Sequence, residues 1–281
     1  VGMNVTFDDA SNNFGTIGVT GSNVSVLDSD GIDLGVSTVS GTFGITSGGA
    51  ITDSGTLAIT GDATFTNTSG SNDAITLDDA SNAFAGTVTF ATDSGSAVTI
   101  VDTTSLDLKA LSAASLSVTA GGAVTDSGTL AISGATTLNS GSADITLDQS
   151  ASTFGTLAIT GANVAVTENA AMDLGASTIS GTASFNSTSN AITDSGTLAI
   201  TGTITINAGA AALTLAEAAS ALGTLVLTGA NVAVTENAAT DLGDSTVSGT
   251  FGITSGGAIT DSGTLAITGD ATFTNTSGSN D

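Results

Sequence analysis

The sequence lacks cysteine, proline, histidine, tryptophan and tyrosine altogether. Without cysteine there can be no disulfide and no thiolate chemistry. Without proline, every residue keeps a backbone N–H that can pair in a sheet. Aromatic residues make up only 4% of the 281 residues, so a large core built on rings is excluded. Since 40% of the residues are still apolar, these absences favour a narrow aliphatic core that is extended by repetition.

Positive charge is almost absent as well. Lys109 is the single basic residue against 26 acidic ones, which gives a formal net charge of −25. Because binding to nucleic acid or to an anionic membrane requires Lys and Arg, we expect neither. No run approaches the roughly 18 apolar residues of a membrane helix, so we expect no membrane insertion. The partners that remain are cations, neutral glycans or other cell-surface components, and further copies of the chain.

What the sequence does contain is repetition. The phrase Ile-Thr-Asp-Ser-Gly-Thr-Leu-Ala-Ile-Thr begins at Ile51, Ile192 and Ile259, and a near copy begins at Val124. These starts define a repeat of about 70 residues, whose first segments begin near Ala50, Ala123, Ala191 and Ala258. Residues 37–73 recur unchanged as residues 245–281, which reveals a super-repeat of 208 residues. We therefore expect one continuous repetitive domain over residues 1–281, cut from a longer secreted array.

Each repeat consists of short stretches in which apolar and small polar residues alternate, as in Val88-Thr89-Phe90 and Ile204-Thr205-Ile206. Alternation with period two and β-branched residues predicts strands, and the intervening Gly, Asn, Asp and Ser pairs predict turns. Dividing each repeat into three segments predicts an all-β parallel β-helix, or β-solenoid, of about twelve coils of 18–28 residues. A coil of this size is expected to be right-handed, and it buries its apolar side chains only by stacking on its neighbours.

Two further sets of side chains recur at fixed positions. Phe14, Phe84, Phe154 and Leu222 are equivalent and predict a repeated core contact. Asn12, Asn13 and Asn82 lie in one class of turn and are candidates for a side-chain ladder.

The acidic residues also recur in register, in three sets. The first set is Asp28, Asp102, Glu168 and Glu236; the second is Asp33, Asp107, Asp173 and Asp241; the third is Asp53, Asp126, Asp194 and Asp261. One interpretation is that these are solvated turn residues that keep a fibre soluble. The other is that these twelve residues form weak Ca²⁺ sites with turn carbonyls or neighbouring chains, since Ca²⁺ takes six to eight oxygen ligands. No other cofactor is predicted.

Catalysis is not predicted. Enzymes with parallel β-helices that act on acidic polysaccharides place Lys, Arg or His beside carboxylates, and this chain has only Lys109. Paired carboxylates alone could hydrolyse a glycoside. However, an active site normally interrupts a repeat, and here the same acidic positions recur in every repeat.

The phrases Ala-Ile-Thr-Asp-Ser-Gly-Thr-Leu-Ala-Ile-Thr-Gly and Asn-Val-Ala-Val-Thr-Glu-Asn-Ala-Ala-x-Asp-Leu-Gly resemble those of giant bacterial β-strand-repeat surface proteins. These are similar to filamentous haemagglutinin and to autotransporter passenger regions. The resemblance implies secretion to the bacterial cell surface, a right-handed β-helix and a role in adhesion, biofilm matrix, sheath or filament.

The sequence thus leads to a structural hypothesis for function. Its first form is a subunit of an extracellular filament, sheath or matrix fibre that associates with itself through repeated surfaces. The alternative is the stalk of a bacterial adhesin that projects a binding tip. A third form is a glycan- or ice-binding face built from Thr ladders.

Overall fold

A computed structural model describes residues 2–277, and the predicted domain's residues 1 and 278–281 lie outside the described part. The described residues form an all-β structure without a helix. The chain divides into two compact units, which meet in sequence at Ala143 and Asp144.

Unit 1 holds twenty strands. They are β1 (Val5–Phe7), β2 (Thr16–Ile17), β3 (Thr20–Gly21), β4 (Val24–Asp28), β5 (Ile32–Leu34), β6 (Ser37–Val39), β7 (Phe43–Ser47), β8 (Ile51–Asp53), β9 (Leu57–Ile59), β10 (Ala63–Asn67), β11 (Ile75–Leu77), β12 (Ala83–Phe84), β13 (Thr87–Ala91), β14 (Ala97–Asp102), β15 (Leu106–Leu108), β16 (Leu111–Ala113), β17 (Ser115–Ala120), β18 (Val124–Asp126), β19 (Leu130–Ile132) and β20 (Ala135–Asn139).

Unit 2 holds eighteen strands. They are β21 (Ile145–Leu147), β22 (Thr156–Gly161), β23 (Val164–Thr167), β24 (Met172–Leu174), β25 (Ser177–Ile179), β26 (Ala183–Asn186), β27 (Ile192–Asp194), β28 (Leu198–Ile200), β29 (Ile204–Asn207), β30 (Leu213–Leu215), β31 (Thr224–Gly229), β32 (Val232–Glu236), β33 (Thr240–Leu242), β34 (Ser245–Val247), β35 (Phe251–Ser255), β36 (Ile259–Asp261), β37 (Leu265–Ile267) and β38 (Ala271–Asn275).

Within each unit the chain coils through two principal parallel sheets. In unit 1 the first sheet runs β1-β4-β7-β10-β13-β15-β18 and the second runs β2-β5-β8-β11-β14-β17-β20. In unit 2 the first sheet runs β21-β23-β26-β29-β31-β33-β36 and the second runs β22-β24-β27-β30-β32-β35-β38. Neighbouring strands pair in parallel and in register, as in β4 with β7 and β32 with β35. Short strands at a third corner, such as β6 and β9, pair in the same way.

The parallel β-solenoid predicted from the sequence is therefore confirmed. It has about fourteen turns, seven in each unit, rather than the predicted twelve. The prediction divided each repeat of about 70 residues into three coils. The structure instead gives each repeat seven strands in the principal sheets, so that a repeat makes three and a half coils.

The half coil moves equivalent segments from one sheet to the other. In unit 1, β8 lies in the second sheet, whereas its sequence equivalent β18, which is the seventh principal-sheet strand after it, lies in the first sheet. In unit 2, β27 and its equivalent β36 are related in the same way. Each unit thus shows the same repeated sequence on both of its principal sheets.

The core is aliphatic and narrow, as the composition predicts. Alternate residues of the strands between the first and last described coils are buried, for example Val24 and Val26 in β4. The Phe rings that do occur cluster: Phe65 contacts Phe43, Phe84 and Phe90 with ring centroids 5.7–6.1 Å apart. Outward positions carry mostly Thr, Ser, Ala and Gly, because only small side chains lie flat on tightly stacked coils.

Candidate functional site

The first acidic set is buried, which the sequence analysis did not foresee. Asp28, Asp102, Glu168 and Glu236 are each at most 3% exposed. They stand at the carboxyl end of β4, β14 and β32, or directly after β23. The signal was present in the sequence, since each acid follows two buried residues at spacings of two, like Val164 and Val166 before Glu168. Strand alternation therefore turns these carboxylates inward.

Each buried carboxylate accepts a hydrogen bond from the backbone N–H of one member of the recurring Phe/Leu set. The bonds run from Phe14 to Asp28 (2.6 Å), Phe84 to Asp102 (3.4 Å), Phe154 to Glu168 (2.8 Å) and Leu222 to Glu236 (3.0 Å). Two sets that the sequence identified separately thus meet in space. The acids satisfy a backbone donor at the turn where the Phe or Leu side chain enters the core, which is a structural role.

Burial has an electrostatic consequence for three of these carboxylates. It raises the pKa of Asp102 and of Glu236 above their ordinary values, and it raises the pKa of Glu168 to about 7. Hydrogen bonds oppose the rise: Asp102 accepts from the backbone and hydroxyl of Thr104, and Glu236 from the hydroxyl of Thr240. Oε1 of Glu168 has no hydrogen-bond partner. One hydrogen bond, from the backbone N–H of Phe154, opposes the rise in the pKa of Glu168, whereas three oppose it at Asp102 and two at Glu236.

The second acidic set lies on the outer surface, in the middle of three-residue strands. Asp33, Asp107, Asp173 and Asp241 each stand between two buried residues of their strand, so alternation directs their side chains to the outer face. Three of them are held by hydroxyl groups from the coils on either side. These bonds come from Thr16 and Ser54 to Asp33, from Thr156 and Ser195 to Asp173, and from Thr224 and Ser262 to Asp241, at 2.6–2.9 Å.

At Asp241 the hydroxyl donors stabilise the ionised form. The pKa of Asp241 lies below its ordinary value because the hydroxyls of Ser262 and Thr224 donate to the carboxylate. Asp107 occupies the same position in its strand, in register with Thr87 on one side and Thr125 on the other. Each carboxylate of the second set thus stands between hydroxyl-bearing strands, but the set forms no continuous ladder, because β5 and β15 lie in different sheets of unit 1 and β24 and β33 lie in different sheets of unit 2.

The third set binds the turns of the following coil. Asp53 accepts from the backbone N–H of Asp78 (2.7 Å) and from Nδ2 of Asn82 (2.6 Å). Burial raises the pKa of Asp53 more than these bonds lower it. Asp194 likewise accepts from the backbone N–H of Ala216 (2.6 Å). Asp53 and Asp194 thus tie one coil to the next.

Two members of the third set stand apart in their exposure. Asp126 is buried, and Asp261 is exposed on the last described coil.

The three Asn residues proposed as a ladder do not bind one another. Asn82 is fully buried, and its Oδ1 accepts from the backbone N–H of Leu57 (2.8 Å). Asn13 donates to Asp30 (2.8 Å).

A different Asn position, which the sequence analysis did not single out, makes the repeated contact. Oδ1 of Asn23, Asn163 and Asn231 accepts from the backbone N–H of Thr42, Thr182 and Thr250, respectively.

No three acidic side chains of residues 2–277 converge into a group that could hold a metal ion. The first set faces inward, the second faces outward, and the third binds turn N–H groups. Any Ca²⁺ at these residues would have to complete its shell from carbonyls, water or a neighbouring chain. Calcium at the twelve acidic residues stays a prediction.

Lys109 takes the place of the Gly found at Gly35, Gly175 and Gly243, and it lies near Asp62. The backbone N–H of Thr87 lowers the pKa of Asp62, and the positive charge of Lys109 lowers it further. The lysine is thus a local substitution in a repeat.

Among residues 2–277 there is no helix that could span a membrane.

Comparison with known proteins bears on the repeat itself. Searches of curated proteins and of solved structures found no match. A family model described as "Repeats of unknown function (DUF5649)" matches residues 21–91, 95–160, 161–228 and 229–281. These four matches cover most of the chain, and their spacing follows the repeat of about 70 residues. The chain therefore belongs to the DUF5649 repeat family.

Proposed function

We propose that the chain is a structural subunit of an extracellular filament, sheath or matrix fibre, and that it associates laterally through its repeated surfaces. The observation that carries the proposal is the repeat of three and a half coils. Because it brings the same sequence to both principal sheets, each sheet can meet a neighbour through an equivalent surface. Equivalent surfaces at fixed spacing favour ordered association of identical chains.

The outward side chains are small and polar, which suits close packing of one sheet surface on another. The large apolar residues exposed within residues 2–277 are Met3, Phe7, Val36 and Phe273, and three of these lie in the first or last described coil. Lateral contact would therefore use Thr and Ser hydroxyls, with little hydrophobic contribution. We place such a protein outside the cell, at the bacterial surface, with no catalytic role.

Charge sets a condition on lateral contact. With a net charge of −25, neighbouring chains repel unless cations lie between them. The second acidic set faces outward, so it can contribute oxygen ligands to a cation that a neighbouring chain also binds. This would place Ca²⁺ between chains, which fits the lack of a three-acid group within residues 2–277.

The test is electron cryo-microscopy of the 281-residue chain with Ca²⁺, with chelator, and with sodium chloride of matched ionic strength. We expect bundles or sheets with Ca²⁺ that show a repeat near 4.8 Å along the coil stack. Dispersed rods under all three conditions would refute lateral association. That outcome would favour an adhesin stalk, which needs a stiff stack of coils but no lateral contact. Ordered bundles in sodium chloride without Ca²⁺ would show that screening of the negative charge is sufficient for lateral association and that calcium is not required.

A further inference from the structure

The sequence of the Glu168 turn occurs a second time in unit 2. Residues 161–175 and 229–243 are identical except at one position, where Met172 stands in the place of Thr240. Both of these side chains are only 1% exposed. The two turns therefore show what this single difference does to a buried carboxylate.

In one turn the carboxylate has a side-chain donor that the other turn lacks. Oε1 of Glu236 accepts a hydrogen bond from the hydroxyl of Thr240, and its Oε2 accepts from a backbone N–H. Glu168 keeps the backbone bond, from Phe154, but its Oε1 is buried without a partner. A thioether has no hydrogen to donate, so Met172 cannot replace the hydroxyl. Oε1 of Glu168 has thus given up water without gaining a donor, which is costly for a buried polar atom.

The turn that stacks on Glu168 also differs from its equivalents in the other repeats. Elsewhere this turn contains Gly-Gly, and the N–H of the first glycine donates to the backbone carbonyl of the buried acid. These bonds join Gly48 to Asp28, Gly121 to Asp102 and Gly256 to Glu236, at 2.8–3.0 Å. Opposite Glu168 the sequence is Thr188-Ser189-Asn190, which is one residue longer. Here the hydroxyl of Thr188 donates to the Glu168 carbonyl (3.0 Å).

The longer turn is strained for a reason that the glycine turns show. A Cβ added at the first glycine of each would lie only 2.2–2.3 Å from a backbone oxygen of the preceding coil. A turn that carries side chains must therefore take another path. Thr188 and Ser189 take it with φ angles of 50° and 80°, in the left-handed region that residues other than Gly rarely adopt.

We propose that residues 187–190 and the Glu168 turn on which they stack form a joint in unit 2 that opens locally while the strands beside it stay paired. Two weaknesses meet there, the unpartnered Oε1 and the two left-handed residues. Opening hydrates the oxygen and releases the backbone strain, so it costs less here than at the equivalent turns. The inference concerns the fold alone and does not depend on the proposed fibre role.

Amide hydrogen exchange of the dispersed 281-residue chain, followed residue by residue by NMR, measures such local opening. The reporters are the N–H groups of Phe154 and Glu168, which donate to Oε2 of Glu168 and to the carbonyl of Asn186. We expect their protection factors to be several-fold lower than those of the paired amides in β23 and β26, the neighbouring strands.

Paired substitutions isolate the missing hydrogen bond. Thr and Val have nearly the same shape, so M172T and M172V differ chiefly in the hydroxyl at this position. The protection factor of the Phe154 N–H should be about tenfold higher in M172T than in M172V, since one buried oxygen gains a donor. T240V removes the donor from Glu236 and should lower the protection factor of the Leu222 N–H by about the same factor.

A further variant tests the turn itself. Gly adopts positive φ without strain, so S189G should raise the protection factor of the Glu168 N–H several-fold and leave that of Leu222 unchanged. The Ser189 side chain is exposed, so its removal breaks no buried contact.

Equal protection of the Phe154 N–H in M172T and M172V would overturn the proposal, because Oε1 of Glu168 would then not need a donor. So would an S189G variant in which the Glu168 N–H exchanges as it does in the native chain. If both reporters exchange no faster than the paired amides of β23 and β26, the turn opens only with the rest of unit 2 and the local joint does not exist.

Discussion

Replacing Glu168 by Gln should remove a pH dependence of stability that the fold imposes. Burial raises the pKa of Glu168 from 4.5 to about 7, against one hydrogen bond from Phe154 N. Between these two values the folded protein retains a proton that the unfolded chain releases. The free energy of unfolding therefore falls as the pH rises through this window and is unaffected by this group above it.

The size of the effect follows from the width of the window. Each pH unit corresponds to about 1.36 kcal/mol, so a window of about 2.5 units gives a loss of about 3 kcal/mol between pH 4.5 and 7. The E168Q variant cannot ionise and should lack this loss. Any fixed cost of the amide is the same at every pH, so the stability of E168Q relative to the native chain should rise by about 3 kcal/mol over the window.

Urea unfolding followed by far-ultraviolet circular dichroism is the appropriate assay, since the chain has no Trp or Tyr for fluorescence. Hydrogen exchange of the Phe154 amide adds a local readout, because that N–H donates to Glu168. D241N is the matched control, because its effect on stability should change with pH in the opposite direction. Hydroxyl donors lower the pKa of Asp241, so D241N should be the less stable protein at neutral pH, and the gap should close as the pH falls. If the free energies of unfolding of E168Q and of the native chain change in parallel with pH, the Glu168 carboxylate is not desolvated in the way described.

Two further substitutions test the contacts between coils. N82A removes the amide that binds Asp53 and the Leu57 N–H, and should cost about 2 kcal/mol in urea unfolding, whereas N12A should cost little, because its side chain makes no equivalent bond. A similar cost for both would refute the assigned role. G128A places a Cβ against the backbone carbonyl of Lys109 and should destabilise by about 1–3 kcal/mol, whereas a Cβ at Gly15 meets nothing within 4 Å, so G15A should be neutral or slightly stabilising. Equal melting temperatures for the two Gly variants would contradict the close stacking.

Much of the fold could be predicted from the sequence, because period-two alternation and repetition are local signals. Val88-Thr89-Phe90 is a strand in the structure, and its alternate residues are buried as the pattern requires. The number of coils was wrong because the segments were delimited by turn motifs. Counting apolar strands would not have given the half coil either, because the repeat from β8 to β17 has ten strands and only the sheet pairing shows that β9, β12 and β16 lie outside the principal sheets.

The environments of the acidic sets were harder to predict. Equivalence in sequence shows that Glu168 and Asp241 recur, but it does not show which of them faces inward. Glu168 continues the inward alternation of Val164 and Val166, whereas Asp241 falls between two buried residues. The bond from Phe154 to Glu168 spans 14 residues and depends on how two coils stack, so no local pattern contains it.

The half coil also limits what the surface can do. Each repeat contributes seven strands to the principal sheets, so equivalent segments of successive repeats lie in alternate sheets. One sheet can therefore acquire a specialised surface only if the sequences of successive repeats diverge. Within unit 2, residues 192–201 and 259–268 have not diverged at all, although the first stretch begins with β27 in the second sheet and the other with β36 in the first sheet. A glycan- or ice-binding face would need one sheet to differ from the other. Sequence identity between strands of different sheets instead favours a protein that offers equivalent surfaces to neighbours, which is what lateral assembly requires.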